Sequence, residues 1–514
     1  MTTPDGPALS SRRQLLMAGA AAAAAPALLL GSPAQAAARA ADFAAAAAKD
    51  PLLTPLLGVS DTSGDRDGEA RLLGRWPAGL RGRFYRNGPA LYERAGQRYH
   101  HWFDGDGMVQ QYRIGDGRVV HRGRLVHTTK LRQEREAGRF IVNTLGTGFP
   151  GQPPASGPDS FNTANTNAIE HTGRVLALWE GGSAYALRAD DLATTGPVTW
   201  RNDLAQVPFS AHPKVDARGH LWNIGSAGRK LVAWHIDPAG ALAQVQLTDS
   251  PFPGGMVHDM AVTARHLVVP LPPLRMDFMA PTEGGRRRFA MTPGEPLPIL
   301  VMRKDDLAQQ RVFELPPQMV FHIGNAHETA DGQIMLSYVG APDAWFLDQG
   351  AVAMMAGRPN DGGRSDAFMA RLDMATGRAQ LQRLPGSDGG VEFPRMHPAR
   401  VGMASRQLAF GAAWGDGARR AIGLFHGVQL LDTDSGRVRR YDYGAHQIVE
   451  EHVFVPKPGG RGELDAWLLG TTFDARRQAT VLNLLDAAHI EDGPLAQAVL
   501  PYWLPLGFHG NFTG

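Results

Sequence analysis

From about Arg71 to the C-terminus, apolar and polar residues alternate in short runs that open at a glycine: "GRVVHRGRLVHTT", "GRVLALWEGG", "GHLWNIGSA", "GQIMLSYVG" and "GRVRRYDYG". A period of two puts successive side chains on opposite faces, so each run reads as a half-buried antiparallel strand leaving a hairpin. The turns carry their own marks. Asp116-Gly117, Thr172-Gly173, Asp331-Gly332, Thr376-Gly377 and Ser435-Gly436 are dipeptides that accept the left-handed backbone of tight hairpins, and they recur at irregular intervals.

Many small antiparallel sheets in one chain predict an all-β β-propeller, whose loop insertions blur the blade period. A two-sheet sandwich is the rival, but 514 residues would break into several such domains, and no linker is legible. Helix is expected only in the alanine-rich "AADFAAAAAKDP", continuing to Leu57, and in short inserts such as "LDQGAVAMMAGRP".

Composition narrows the chemistry. Sixty-one glycines and 37 prolines with 43% apolar residues describe a folded, turn-dense chain. Its 52 basic and 50 acidic residues are intermixed with no basic stripe, which argues against a nucleic-acid partner. Cysteine is absent, so disulfides, thiolate metal sites and a cysteine nucleophile are excluded, and any metal must be held by nitrogen or oxygen.

The N-terminus has paired Arg12 and Arg13, an alanine-rich apolar run to Leu30 and the small-x-small triplet Ala34-Gln35-Ala36. This resembles a twin-arginine export signal over residues 1–36; a membrane anchor is the alternative, which the short, alanine-rich run disfavours. A folded periplasmic protein beginning near Ala37 is expected, with a lead-in over 37–70 and the propeller over 71–514.

Four histidines stand among apolar or small residues: His212 in "FSAHPKVD", His258 in "GMVHDMAVT", His322 in "VFHIGNAHE" and His509 in "LGFHGNF". Such neighbours suggest imidazoles pointing inward, where each polar ring needs a partner. The spacing is too wide for a local finger or a helical pair and suits one residue per blade at a propeller axis. The pattern itself leaves open whether all four meet.

"GRFYRNGPALYE" and "HHWFDGDGMVQ" resemble the opening blade of carotenoid cleavage oxygenases, and "AHPKVD", "HDMAVT", "FHIGNAHE" and "GFHGNF" resemble that family's four iron-ligand motifs in their order. The resemblance spans roughly Arg71 to Phe512. It implies a seven-bladed propeller with short helical inserts and loops capping the metal face. It also implies one Fe(II) per subunit held by His212, His258, His322 and His509, and cleavage of a C=C bond by O2 into two carbonyl products. It implies, too, that glutamates take the second N–H of three imidazoles, matched here by Glu180, Glu392 and Glu463. A bound Fe(II) would leave no catalytic residue needed beyond the metal centre.

The substrate implied is a hydrophobic alkene, either a carotenoid or apocarotenoid or a phenolic alkene of the stilbene or isoeugenol type. Lys130 and Tyr99 are candidates to read a phenol, and His327 is a candidate pocket residue. The loops "VNTLGTGFPG", "PLPPLRMDFMAP" and "APDAWFLDQGAVAMMAG", with Arg286, Arg287 and Arg288, could line a tunnel or touch a membrane surface. "DGDG" at Asp104–Gly107 reads as a tight turn rather than a calcium loop. The readings from a different class are a periplasmic propeller hydrolase, which would want carboxylate and asparagine ligands for calcium, and a binding module with no buried histidines.

Overall fold

The computed structural model describes residues 33–514, apart from 63, 150, 253–255, 276–285, 360–362, 388–389 and 416–423. The paired arginines of the expected export signal therefore lie outside the described residues, while Ala34-Gln35-Ala36 falls within a helix over Pro33–Lys49. The chain then forms a 3-10 turn over Pro51–Leu57, capped by the Asp50 carboxylate accepting from Leu52 N.

Seven antiparallel sheets follow, each a blade, with two short two-stranded ribbons beside them. The runs read from the alternating pattern are all strands: Arg118–Leu125, Arg174–Leu178, Leu221–Ala227, Gln333–Ala341 and Val438–Asp442. At the first turn Asp116 and Gly117 have φ of 52° and 69°. Two left-handed residues in succession match the right-handed twist of the flanking strands, which is why Asp-Gly closes that hairpin.

The circle closes at both ends of the chain. His509–Thr513 pairs with Gly82–Leu91 as the inner strand of the first blade, while Arg71–Gly74 pairs with Pro494–Val499 at the outer edge of the seventh. The propeller takes up the chain earlier than expected, because Arg66–Glu69 already forms the outer edge of the first blade against Val120–Gly123. Apolar side chains fill the wedges between blades; Trp222, Ile224 and Leu231 of the third, for example, pack on Val262, Leu267 and Leu300 of the fourth.

Above one face lie the helical inserts. The expected insert forms as a π turn over Phe346–Gly350 running into a helix over Ala351–Met355. A second helix, Thr129–Ala137, was not expected from its strongly polar sequence. Its ends explain it: the Thr128 hydroxyl accepts from Leu131 N, and Gly138 closes the last turn in the left-handed conformation. In "DGDG" the Asp104 carboxylate accepts from Gly146 N and the Thr147 hydroxyl, and Asp106 pairs with Lys130, so the turn reading holds.

Candidate metal centre

The four histidines occupy equivalent places. His212 and His258 lie just before the first strands of the third and fourth blades, His322 at a bulge in the inner strand of the fifth, and His509 at the start of the inner strand of the first. An inner strand begins nearest the axis, so a side chain there is delivered to the centre. Neighbouring Nε2 atoms lie 3.1 Å (His212 to His258), 3.1 Å (His258 to His322) and 3.0 Å (His322 to His509) apart. All four ligand atoms fall within 4.8 Å of one another.

The remaining three blades supply carboxylates. Glu180 follows a strand of the second blade and sits 2.8 Å from His258 Nδ1; its other oxygen accepts from the Thr166 hydroxyl. Glu392, on the inner strand of the sixth, is 2.5 Å from His322 Nδ1. Glu451, on the inner strand of the seventh, is 3.0 Å from His509 Nδ1. Among the described residues no carboxylate pairs with His212.

Glu463 is thus corrected. Its carboxylate accepts from the Ser405 hydroxyl and from the Arg406 and Gln407 amides, where it ties a turn of the sixth blade rather than an imidazole. Glu451 takes the expected role because it lies on the inner strand of the seventh blade, whose closure against the first sets it beside His509. A sequence signal existed: Glu450 and Glu451 stand together in "IVEEHVFV", a strand otherwise apolar, where a buried acid demands a partner.

His327 is also corrected. It lies farther along the same strand as His322, paired with Met335, and five residues of strand carry it about 16 Å from the centre. Lys130 and Tyr99 do meet, with Lys130 Nζ 2.7 Å from the Tyr99 hydroxyl. Yet that ammonium also donates to Asp106 (2.9 Å) and Glu134 (2.8 Å), which uses all three of its protons, and its side chain is 0% exposed. Arg287, expected at a possible membrane face, is buried and donates to the Leu145 carbonyl, while Arg288 pairs with Asp348.

The residues fit a metal. A carboxylate at Nδ1 keeps the proton there and leaves the Nε2 lone pair free. Three or four lone pairs facing one another near 3 Å repel unless a cation lies among them. Right-angled ligands at about 2.1 Å have edges of about 3.0 Å, against about 3.4 Å for a tetrahedron, so the spacing suits an octahedral ion with open positions. Burial, then the neighbouring imidazoles, holds His212 far below its usual pKa. Burial likewise pushes His509 down to about 3. For His322 burial opposes charging, but Glu392 outweighs it and the net shift is upward.

Aromatic rings line the space beside the imidazoles. Phe321 meets His258 edge-on at 5.3 Å, and Phe393 stacks on His322 at 5.3 Å. Phe103 contacts Phe321 and Phe508. Phe103, Phe321, Phe346 and Phe393 stay half-buried, so part of each ring remains free of protein contact.

The model of the family described as retinal pigment epithelial membrane protein matches residues 61–514. The apocarotenoid-15,15'-oxygenase of Synechocystis is 30% identical, over 86% of this chain and 92% of its own. The isoeugenol monooxygenase of Pseudomonas putida is 26% identical over 85% and 92%. The structure of the cobalt-substituted Synechocystis apocarotenoid oxygenase superposes with a TM-score of 0.79 at 26% identity, covering 90% of this chain and 99% of that one. With a match over nearly the whole propeller and a metal-ready axis, the chain belongs to the retinal pigment epithelial membrane protein family, that of the carotenoid cleavage oxygenases.

Proposed function

We propose that this oxidoreductase holds Fe(II) at His212, His258, His322 and His509 and uses O2 to cleave a C=C bond of an apocarotenoid or carotenoid into two carbonyl products. The observation that carries the proposal is the convergence of four buried imidazoles, three of them beside carboxylates, next to a set of aromatic rings. Iron(II) bound there supplies the capacity to activate O2. A set of four neutral ligands leaves the ion its full charge and at most two open positions.

The chain's own residues do the rest. Glu392 and Glu451 accept the Nδ1 protons of His322 and His509, and the Glu180 carboxylate lies 2.8 Å from His258 Nδ1, so each of these rings presents its Nε2 lone pair inward. Phe103, Phe321 and Phe393 give an extended alkene flat apolar walls and keep water from the reacting carbons.

A polyene is favoured over a phenolic alkene because the pair expected to read a phenol is buried and its lysine is saturated by Tyr99, Asp106 and Glu134. Tyr99 is 1% exposed and its oxygen already accepts from Lys130. The phenolic reading keeps one support, the likeness to the isoeugenol monooxygenase and, at 27% identity, to resveratrol cleavage oxygenase 1 of Aspergillus fumigatus.

The test is aerobic incubation of the Fe(II)-loaded protein with apocarotenals, carotenes, stilbenes and isoeugenol, followed by mass spectrometry for carbonyl products. An aldehyde pair from a polyene supports the reading. Aldehydes from the phenolic substrates alone would replace the substrate class, and no product from any of them with iron fully bound would overturn the reaction.

Export to the periplasm through the twin-arginine route is proposed from Arg12, Arg13 and Ala34-Gln35-Ala36. Mass analysis of the N-terminus of the cell-envelope protein tests it, with a start near Ala37 expected. Among the described residues no helix is long and apolar enough to cross a membrane.

A further inference from the structure

On the propeller face away from the helical inserts, a groove of about 700 Å³ runs between the first and second blades. It opens where strand Gly82–Leu91 begins; the inserts adjoin that strand's other end, and Arg83 sits opposite Thr513, four residues past His509. Arg83, Arg113, Arg174 and Arg188 line it, with Glu170 and Asp190 as its acids: four guanidiniums against two carboxylates.

The register makes this arrangement unusual. Arg83 lies directly opposite Arg113 in the first blade, and Arg174 directly opposite Arg188 in the second. Like charges facing across an antiparallel pair are destabilising, and here two such pairs face one groove. Only half of the charge is answered within the protein. Glu170 takes Arg83 in a two-pronged contact at 3.0 and 2.8 Å, and Asp191 and Asp190 flank Arg188. Among the described residues neither Arg113 nor Arg174 has an ion-pair partner. Arg174 is held at 5.6 Å over the Trp200 ring, and its Nε is buried without a hydrogen-bond acceptor.

Two unanswered guanidiniums from adjacent blades match a ligand with two negative charges and several oxygens, since the planar fork of arginine binds phosphoryl oxygens in pairs. We propose that this groove binds a phosphoryl dianion through Arg113 and Arg174, with Arg83 and Arg188 at its sides. The group could arrive on a free phosphate compound or on an acidic lipid headgroup; the chemistry recognised is the same.

The iron-loaded protein and its Arg113→Gln/Arg174→Gln double variant are titrated with inorganic phosphate and pyrophosphate at matched ionic strength, by calorimetry. Both proteins are also sedimented with phosphatidylcholine vesicles, with and without phosphatidate. Both substitutions are on the surface, far from the histidines, so alkene cleavage is expected to be unchanged and reports that the variant is folded. Saturable binding that weakens about tenfold or more in the variant, and that fades as salt rises, supports the site. Binding of the soluble anions identifies a free phosphate compound; binding of phosphatidate vesicles alone identifies a headgroup. No saturable binding of any probe, or binding that the double variant retains, overturns the proposal.

Discussion

Replacing Glu451 by glutamine changes one atom and should cost the metal centre most of its grip. The carboxylate accepts four hydrogen bonds: from His509 Nδ1 at 3.0 Å, Gly510 N at 2.7 Å, and Arg395 Nε and Nη2 at 2.9 and 3.1 Å. An amide offers one accepting oxygen and turns an N–H2 towards donors. Arg395 loses its counter-charge in either orientation, and where the amide nitrogen faces His509 Nδ1 the ring proton is driven to Nε2, where it blocks ligation. Loss of such an outer partner weakens metal binding about 10- to 100-fold, equal to about 1.4–2.7 kcal/mol. Competition between the protein and a chromophoric Fe(II) chelator measures this directly. Glu463→Gln is the matched control, because among the described residues that carboxylate accepts from Ser405 and two backbone amides. Wild-type affinity in Glu451→Gln, or an equal loss in Glu463→Gln, would refute the assignment of the third carboxylate.

Three further outcomes are expected. Fe(II) is expected to raise the melting temperature of the wild type and His258→Ala to abolish that rise, because a ligand stabilises a fold only as far as it binds it; an unchanged rise would remove His258 from the site. Lys130→Met strands the fully buried Asp106 and Glu134 carboxylates and should destabilise the fold by about 3–5 kcal/mol in urea; a variant as stable as wild type would show the lysine is not structural. Burial pushes His121 down to about 3 and His452 to about 4, below the ordinary value of 6.5. Both must be neutral in the fold, so their contribution is full above pH 6.5 and falls with pH down through these values, by up to about 1.4 kcal/mol per unit for each. Urea unfolding from pH 7 to 5 should become less pH-dependent in His121→Gln, and an unaltered slope would count against the buried neutral state.

Much of this molecule is legible in one dimension. Alternation and turn dipeptides are local, and hairpins are local structures, so strands such as Arg118–Leu125 and Leu221–Ala227 follow from short stretches. The four clustered histidines are legible for a related reason: a residue at the head of an inner strand carries its apolar surroundings in its own neighbourhood of sequence. What the local pattern does not hold is who faces whom. Glu451 meets His509 only because closure of the ring sets the seventh blade beside the first, so the acidic residue that looked right by motif, Glu463, lies elsewhere. Lys130 stands in a strongly polar stretch and is buried, because Asp106 and Tyr99 reach its ammonium from other stretches of chain. The facing arginines around the groove are likewise a product of register, since strand pairing and the packing of adjacent blades bring together charges that are unremarkable along the chain. The sequence alone determined the blades and the donor atoms; the tertiary structure decided the pairs, because ring closure and register join residues that no local pattern relates.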